Sequence, residues 1–229
     1  MNVAVQSSHR NNAGSVSVYM ERLFALRSVM REARRFRVIA VEGDSEDNTR
    51  EALVYHADRL GLELELVTCN HGGPIYGSTE QPERLAALSK VLNAGLDAVL
   101  SDDDAFLFVE SDLSWDPETL ATLLRYGYDA PFGFDVFSPM VMAGDVFYDI
   151  WGFRGLDGRR FSPFAPFFPR MEGHLLFEVG SVGSCLAMQG AKARKVRVQN
   201  DMALVGWCQR ARELGMRFAA CPDLYVRQA

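Results

Sequence analysis

The stretch FLFVESDLSWDPETL, Phe106 to Leu120, decides how the rest of the chain is read. Phe106-Leu107-Phe108-Val109 is an unbroken apolar run, preceded by Asp102-Asp103-Asp104 and followed by Glu110-Ser111-Asp112. A strand that is apolar at every position, rather than at alternate ones, is covered on both faces, so the run predicts a central strand of a mainly parallel sheet. Two carboxylates spaced two apart where the chain leaves such a strand can face one hard cation and leave its other positions to phosphate oxygens and water. Acidic residues also end strands simply because loops are wet, and the spacing alone does not choose. Asp116-Pro117-Glu118 then opens a helix to about Tyr126.

Toward the N-terminus, short β-rich runs alternate with helical patterns, the signature of βαβ units. Val3-Ala4-Val5 and Val38-Ile39-Ala40-Val41 read as strands, and between them Val16, Met20, Leu23, Leu26 and Met30 recur at helical spacing. Asp44 to Thr49 supplies turn and N-cap chemistry for a helix through Ala52, Leu53, His56 and Leu60 that Gly61 stops. Leu62 to Thr68 is a third strand, Cys69 to Gln81 a glycine-containing loop, and Pro82 to Asn93 a helix with Gly95 as its stop.

Beyond residue 130 the pattern changes. Phe132 to Pro169 is rich in aromatics, prolines and glycines without a clear helix, and reads as an elaborated binding surface or oligomer contact. Ser184 to Gln189 reads as a strand, Asp201 to Leu214 as a helix stopped by Gly215, and Phe218 to Cys221 and Leu224 to Val226 as two short strands.

With 229 residues and 48% apolar content, the chain can bury one sizeable core, so one domain over 1–229 is expected. A net charge of -6 argues against a general polyanion binder. Four cysteines lack C-x-x-C spacing, the opening MNVAVQSSHR lacks the apolar core of a signal peptide, and no segment is apolar enough for a membrane span. A soluble protein of the reducing cytoplasm is the expectation. Basic residues group twice: Arg27, Arg31 and Arg35 at every fourth position of one helix with Arg34 and Arg37 beside them, and Lys192, Arg194, Lys195 and Arg197. They are a solvated face or the footprint of a phosphate-bearing acceptor. Trp115, Trp151, Phe153 and Arg154 would stack on a flipped base or on a sugar ring.

Glu42-Gly43-Asp44 follows the second strand, where a carboxylate either accepts hydrogen bonds from a ribose or base, or merely turns the chain into a capped helix. Taken in order, VIAVEGDSEDNT (Val38 to Thr49), Arg84 and Asn93 in ERLAALSKVLNAGL, and FLFVESDLSWDPETL resemble the GT-A glycosyltransferases. FYDIWGFR (Phe147 to Arg154), GSVGSCLAMQGAKARKV (Gly180 to Val196) and NDMALVGWCQRARELGMRFAACPDLYV (Asn200 to Val226) are similar to the fungal capsule-type α-mannosyltransferases. The resemblance spans nearly the whole chain. It implies an α/β GT-A fold, with 1–112 as a nucleotide-binding half and 113–229 as an acceptor-binding half. It also implies metal-dependent transfer of a sugar from a GDP- or UDP-sugar to a hydroxyl acceptor, a glycan or a modified nucleic-acid base.

Residue by residue, the resemblance implies that Glu110 and Asp112 hold Mn²⁺ or Mg²⁺, with Ser111 between them in the donor site. Glu42 and Asp44 would contact the nucleoside, Arg84 would lie near the donor phosphates, and Gly180 to Ser184 would line the sugar and acceptor site. Asp201 would be the general base of an inverting reaction, whereas the mannosyltransferase-like segments suggest retention. The chain departs from the family where a third metal ligand, often His, stands near the C-terminus: here Arg227 would contact the phosphates, with His174 as a substitute ligand. Two other readings stand beside this one. A sugar-phosphate nucleotidyltransferase would carry a Gly-rich phosphate loop where Gln6 to Asn12 stands, and a non-catalytic carbohydrate- or nucleic-acid-binding module would have no need of concentrated negative charge.

Overall fold

The computed structural model of the chain describes residues 1–76, 81–164, 175–198 and 202–228. β1 (Asn2–His9), α1 (Ala13–Val29), β2 (Arg35–Glu42), α2 (Thr49–Leu60) and β3 (Glu63–Thr68) form two successive crossovers with all three strands parallel. α3 (Pro82–Asp97) leads to β4 (Ala105–Val109), which lies parallel to β1. After β5 (Leu113–Trp115) and α4 (Pro117–Asp129) come β6 (Val136–Ala143), β7 (Val146–Phe147), β8 (Phe177–Val179), β9 (Cys185–Gln189), the short α5 (Gly190–Ala193), α6 (Ala203–Glu213) and β10 (Phe218–Gln228).

Among the described residues the main path of the sheet runs β3-β2-β1-β4-β9-β6-β10-β5. The apolar run at 106–109 is indeed central, and period-two alternation explains its composition. Val3, Val5, Leu107 and Val109 belong to the layer covered by α1, α2 and α4, whereas Ala4, Phe106 and Phe108 belong to the layer under α3 and α6. The sheet is mixed rather than mainly parallel: β9 runs antiparallel to both β4 and β6. Asp116 caps α4 as its sequence suggests, accepting from the Glu118 N–H at 2.9 Å. No helix among the described residues is long and apolar enough to cross a membrane.

Four other features depart from the sequence pattern. Gly95 does not stop α3, which continues to Asp97; a Cβ at Gly95 would lie 2.2 Å from the Gln6 side chain, so glycine is there to let α3 approach β1. The 132–169 region is not mainly a surface in its described part. Val136–Ala143 is a buried strand, and the rings of Phe147, Phe153 and Phe161 pack on one another edge-on or tilted beneath it. The two C-terminal strands are one, broken by an irregularity between Cys221 and Tyr225. The arginine stripe is not a helix face either, because α1 ends at Val29 and Arg35 and Arg37 lie on β2.

Those two arginines are committed to the fold. Arg37 Nη2 lies 2.7 Å from Asp103 Oδ2, with side chains 4% and 0% exposed, and Arg35 takes the other oxygen at 2.7 Å. Arg37 also donates to the Ala98 carbonyl and Asp103 accepts from the Leu100 N–H, so the pair ties β2 to the connection between α3 and β4. Removing one partner of a buried pair strands the other's charge. Asp103→Ala is therefore expected to lower stability by about 3–5 kcal/mol in urea unfolding, against less than about 1 kcal/mol for Asp102→Ala at the exposed end of the network.

Candidate functional site

The carboxyl ends of β1, β2 and β4 open into a cleft of about 420 Å³. This is where an open α/β sheet leaves room for a ligand, because the chain departs to opposite sides from neighbouring strands. Ser8, His9, Arg10 and Asn12 line it at and after the end of β1, Val41 and Gly43 at the end of β2, and Cys69, His71 and Tyr76 after β3. α3 contributes Arg84, Leu88 and Val91, β4 contributes Phe108 with Glu110, Ser111 and Asp112, and the start of α6 contributes Ala203 and Leu204.

Glu110 is the electrostatic focus. Its N–H donates to the Ser184 carbonyl at 3.0 Å, and its carboxyl is pushed up to about 8, first by burial and then by the charges of Asp112 and Asp149. A hydrogen bond from Ser184 and the charge of Arg84 act in the opposite direction. Asp112 accepts from Gln228 Nε2 at 2.8 Å, so the end of β10 reaches the acidic pair. Ser111 ties strand exits together, donating to the Ser8 carbonyl at 2.7 Å and accepting from Asn12 Nδ2 at 3.2 Å. His9, beneath that tie, is held between Ser7 Oγ and Asn12 Nδ2 and is lowered to about 4 by burial, which keeps it neutral at physiological pH.

Sequence reasoning missed Asp149. It is buried, accepts from the N–H groups of Ser184 at 2.6 Å and Gly152 at 3.3 Å, and is raised to about 6 by burial against those bonds. A Cβ at Gly183 would lie 1.8 Å from its Oδ2, and one at Gly152 2.8 Å from its Oδ1, so two glycines make the space for this carboxylate. The available signal was that pairing, an aspartate in FYDIWGFR with glycines in both FYDIWGFR and GSVGS. Ser184, from the predicted sugar and acceptor segment, links Asp149 to Glu110.

The structure brings Arg84, Glu110, Ser111 and Asp112 together on the cleft, but the described lining does not include Glu42, Asp44 or Arg227. Val41 and Gly43 face the cleft, so strand alternation turns Glu42 toward α2, where Arg50 lies 3.5 Å away. Asp44 bonds the segment after β3, and Arg227, on β10, donates to the Gly144 carbonyl at 3.4 Å. Asp201 and His174 lie outside the described residues. Trp115 and Phe153 are 9% and 0% exposed and are core side chains, unable to stack on an acceptor. Among the described residues, no group of three His, Cys, Asp or Glu converges as a ready metal cage.

The profile of glycosyl transferase family 2 matches residues 19–177, well over half of the chain. The chain belongs to glycosyl transferase family 2. Its matched span runs from α1 to the start of β8 and takes in Arg84, Glu110, Asp112 and Asp149. No curated protein matches this family 2 chain. Among solved structures, the mannosyltransferase PcManGT from Pyrobaculum calidifontis, in complex with GDP-Man and Mn²⁺, is similar with a TM-score of 0.65 at 17% identity, over 100% of this chain and 56% of that one. S. aureus TarS 1-349 gives 0.60 at 15% identity, over 100% and 60%. Glucosyl-3-phosphoglycerate synthase from Mycobacterium tuberculosis, in complex with Mg²⁺ and UDP, gives 0.55 at 13%, over 98% and 69%. The chain thus spans little more than half the length of the first of these. What is shared at such identities is the fold, and the fold is GT-A.

The shifted carboxyl has a thermodynamic signature. Glu110 titrates near 4.5 when exposed and at about 8 in the fold, so between those values the folded state binds the extra proton and stability declines as pH rises. In EDTA, Glu110→Gln is expected to gain stability relative to the wild type from about pH 5 to about pH 8 and to level off above, read by urea unfolding across pH. A pH-independent difference would contradict the burial of that charge.

Proposed function

We propose that this chain transfers a sugar from a nucleoside diphosphate sugar to a hydroxyl acceptor, with the donor in the cleft of the 1–112 half and the acceptor on the side built by 113–229. One observation carries the reading: Glu110 and Asp112 stand where a strand covered on both faces opens into the cleft, and burial, with the charges of Asp112 and Asp149, pushes the Glu110 carboxyl up to about 8. Such a hard-oxygen pair fits Mn²⁺ or Mg²⁺, and similar structures of this fold hold those ions. When bound, the ion offsets the diphosphate charge and stabilises it as a leaving group.

The chain's own residues divide the remaining work. Asp149 holds Ser184, whose carbonyl in turn holds the Glu110 backbone N–H, so the strand exit that carries the acids is fixed in place. Arg84 supplies a positive side chain across the cleft from the acids. Gly43 keeps the β2 exit open to close approach. Asp201 is proposed to take the acceptor proton if the reaction inverts. The fungal capsule-type segments favour a hexose such as mannose, and GDP-Man and UDP both occur with similar structures. A glycan acceptor is favoured over a nucleic-acid base, because Arg35 and Arg37 are consumed by the fold and are not free to meet a phosphate backbone. Four free cysteines support a reducing compartment.

The purified chain is expected to hydrolyse one nucleotide-sugar slowly in Mn²⁺ and to lose this in EDTA. Glu110→Ala and Asp112→Ala should each reduce the rate by about 100-fold or more, the scale of losing transition-state charge stabilisation, with unchanged circular dichroism. A panel of UDP-, GDP- and dTDP-sugars giving neither turnover nor thermal stabilisation with metal present would refute the reading.

A further inference from the structure

We propose that Asp44 and Arg10 form a two-point clamp that holds residues 70–74 as one wall of the donor cleft, so that Asp44 positions the wall and does not contact the nucleoside. This rests on the reading of the cleft as a nucleotide site. Asp44 follows Gly43 at the carboxyl end of β2 with φ of 56°, in the left-handed region that a short polar side chain tolerates when it bonds locally. Its carboxylate is spent on the neighbouring segment. Oδ2 accepts from the His71 N–H at 3.0 Å and lies 2.9 Å from His71 Nδ1, while Oδ1 accepts from the Gly72 N–H at 3.1 Å. The Asp44 N–H donates in return to Asn70 Oδ1 at 2.9 Å. These bonds, the His71 amide first, hold the Asp44 carboxyl below its ordinary range.

From the other side Arg10, leaving β1, donates from Nη2 to the Gly73 carbonyl at 2.7 Å and from Nη1 to the Pro74 carbonyl at 3.2 Å. Anchors from two strands therefore grip adjacent residues of one segment. That segment is also seated on β2: the Cys69 N–H donates to the Glu42 carbonyl at 2.9 Å, and a Cβ at Gly43 would lie 2.0 Å from the Cys69 carbonyl oxygen. What the clamp presents to the cleft is His71 and Tyr76, whose side chains flank Gly73 so closely that a Cβ there would meet His71 Nδ1 at 2.8 Å and the Tyr76 hydroxyl at 3.1 Å. Both Asp44 oxygens are engaged by the segment and the residue is off the cleft lining, which is the arrangement of a support.

The test combines hydrogen–deuterium exchange with equilibrium binding of UDP and GDP in Mn²⁺. It uses the full chain as wild type, Asp44→Gly, Arg10→Met and the double variant. Glycine keeps the left-handed backbone while removing the carboxylate, and methionine keeps the aliphatic stem. Arg10→Met is expected to speed exchange about tenfold at the His71 and Gly72 amides, which Arg10 does not touch, and both single variants to do so at the Cys69 amide, whose bond to the Glu42 carbonyl involves neither side chain. Each single variant should weaken nucleotide binding about tenfold, and the double variant no further, since both act through one segment. Exchange changes confined to each residue's own partners, affinity losses that multiply, or weaker binding by Asp44→Gly with unchanged exchange would each overturn the clamp. If the wild type binds neither nucleotide, the donor reading falls while the exchange cross-effects still decide the clamp.

Discussion

Carrying a carboxylate out of a strand covered on both faces is the constraint around which this molecule is arranged. β4 gains its stability by excluding water from both sides, and the residue that follows it inherits much of that exclusion. Glu110 therefore places an ionisable carboxyl where charge is poorly solvated, with Asp112 and Asp149 in electrostatic reach, and it keeps its proton to about pH 8 unless a cation takes the proton's place. The fold answers with a hydrogen bond from Ser184 and one nearby guanidinium, and these do not bring the carboxyl back to its ordinary range. Such residual imbalance is a poor device for stability and a good one for attracting a cation, so the site is a product of the core's own burial.

Much of the fold was legible because both periodicities were clean. The apolar run at 106–109, the helical stripe from Val16 to Met30, the Asp116 cap and the stop at Gly61 all follow from local chemistry. What escaped depended on partners distant in sequence. The direction of β9 is invisible because a strand buried on both faces reads the same whether its neighbours are parallel or antiparallel. Gly95 reads as a helix stop until Gln6 is seen against it. Arg35 and Arg37 read as part of a solvated stripe until Asp103 is found in the middle of an acidic triplet.

The candidate site was legible to the same degree and for the same reason. Glu110 and Asp112 could be found because their signal lies within one segment. Asp149 was harder to find, because its surroundings are assembled from Gly152, Gly183 and Ser184, and the glycines that make room for it lie in two segments about thirty residues apart. The placement of Glu42 was open to period-two reasoning, since a strand that turns Val41 and Gly43 toward the cleft must turn the residue between them away.

The reversal of β9 also has a mechanical consequence. Five residue pairs join it to β4, and further pairing joins it to β6, so the strands that carry the acids and the strands of the C-terminal half form one continuous hydrogen-bonded ladder. Swinging the halves apart would unzip that ladder at its most buried point. Ligand traffic must then be accommodated by the connecting segments above the strand ends, with the sheet acting as a fixed anvil beneath them.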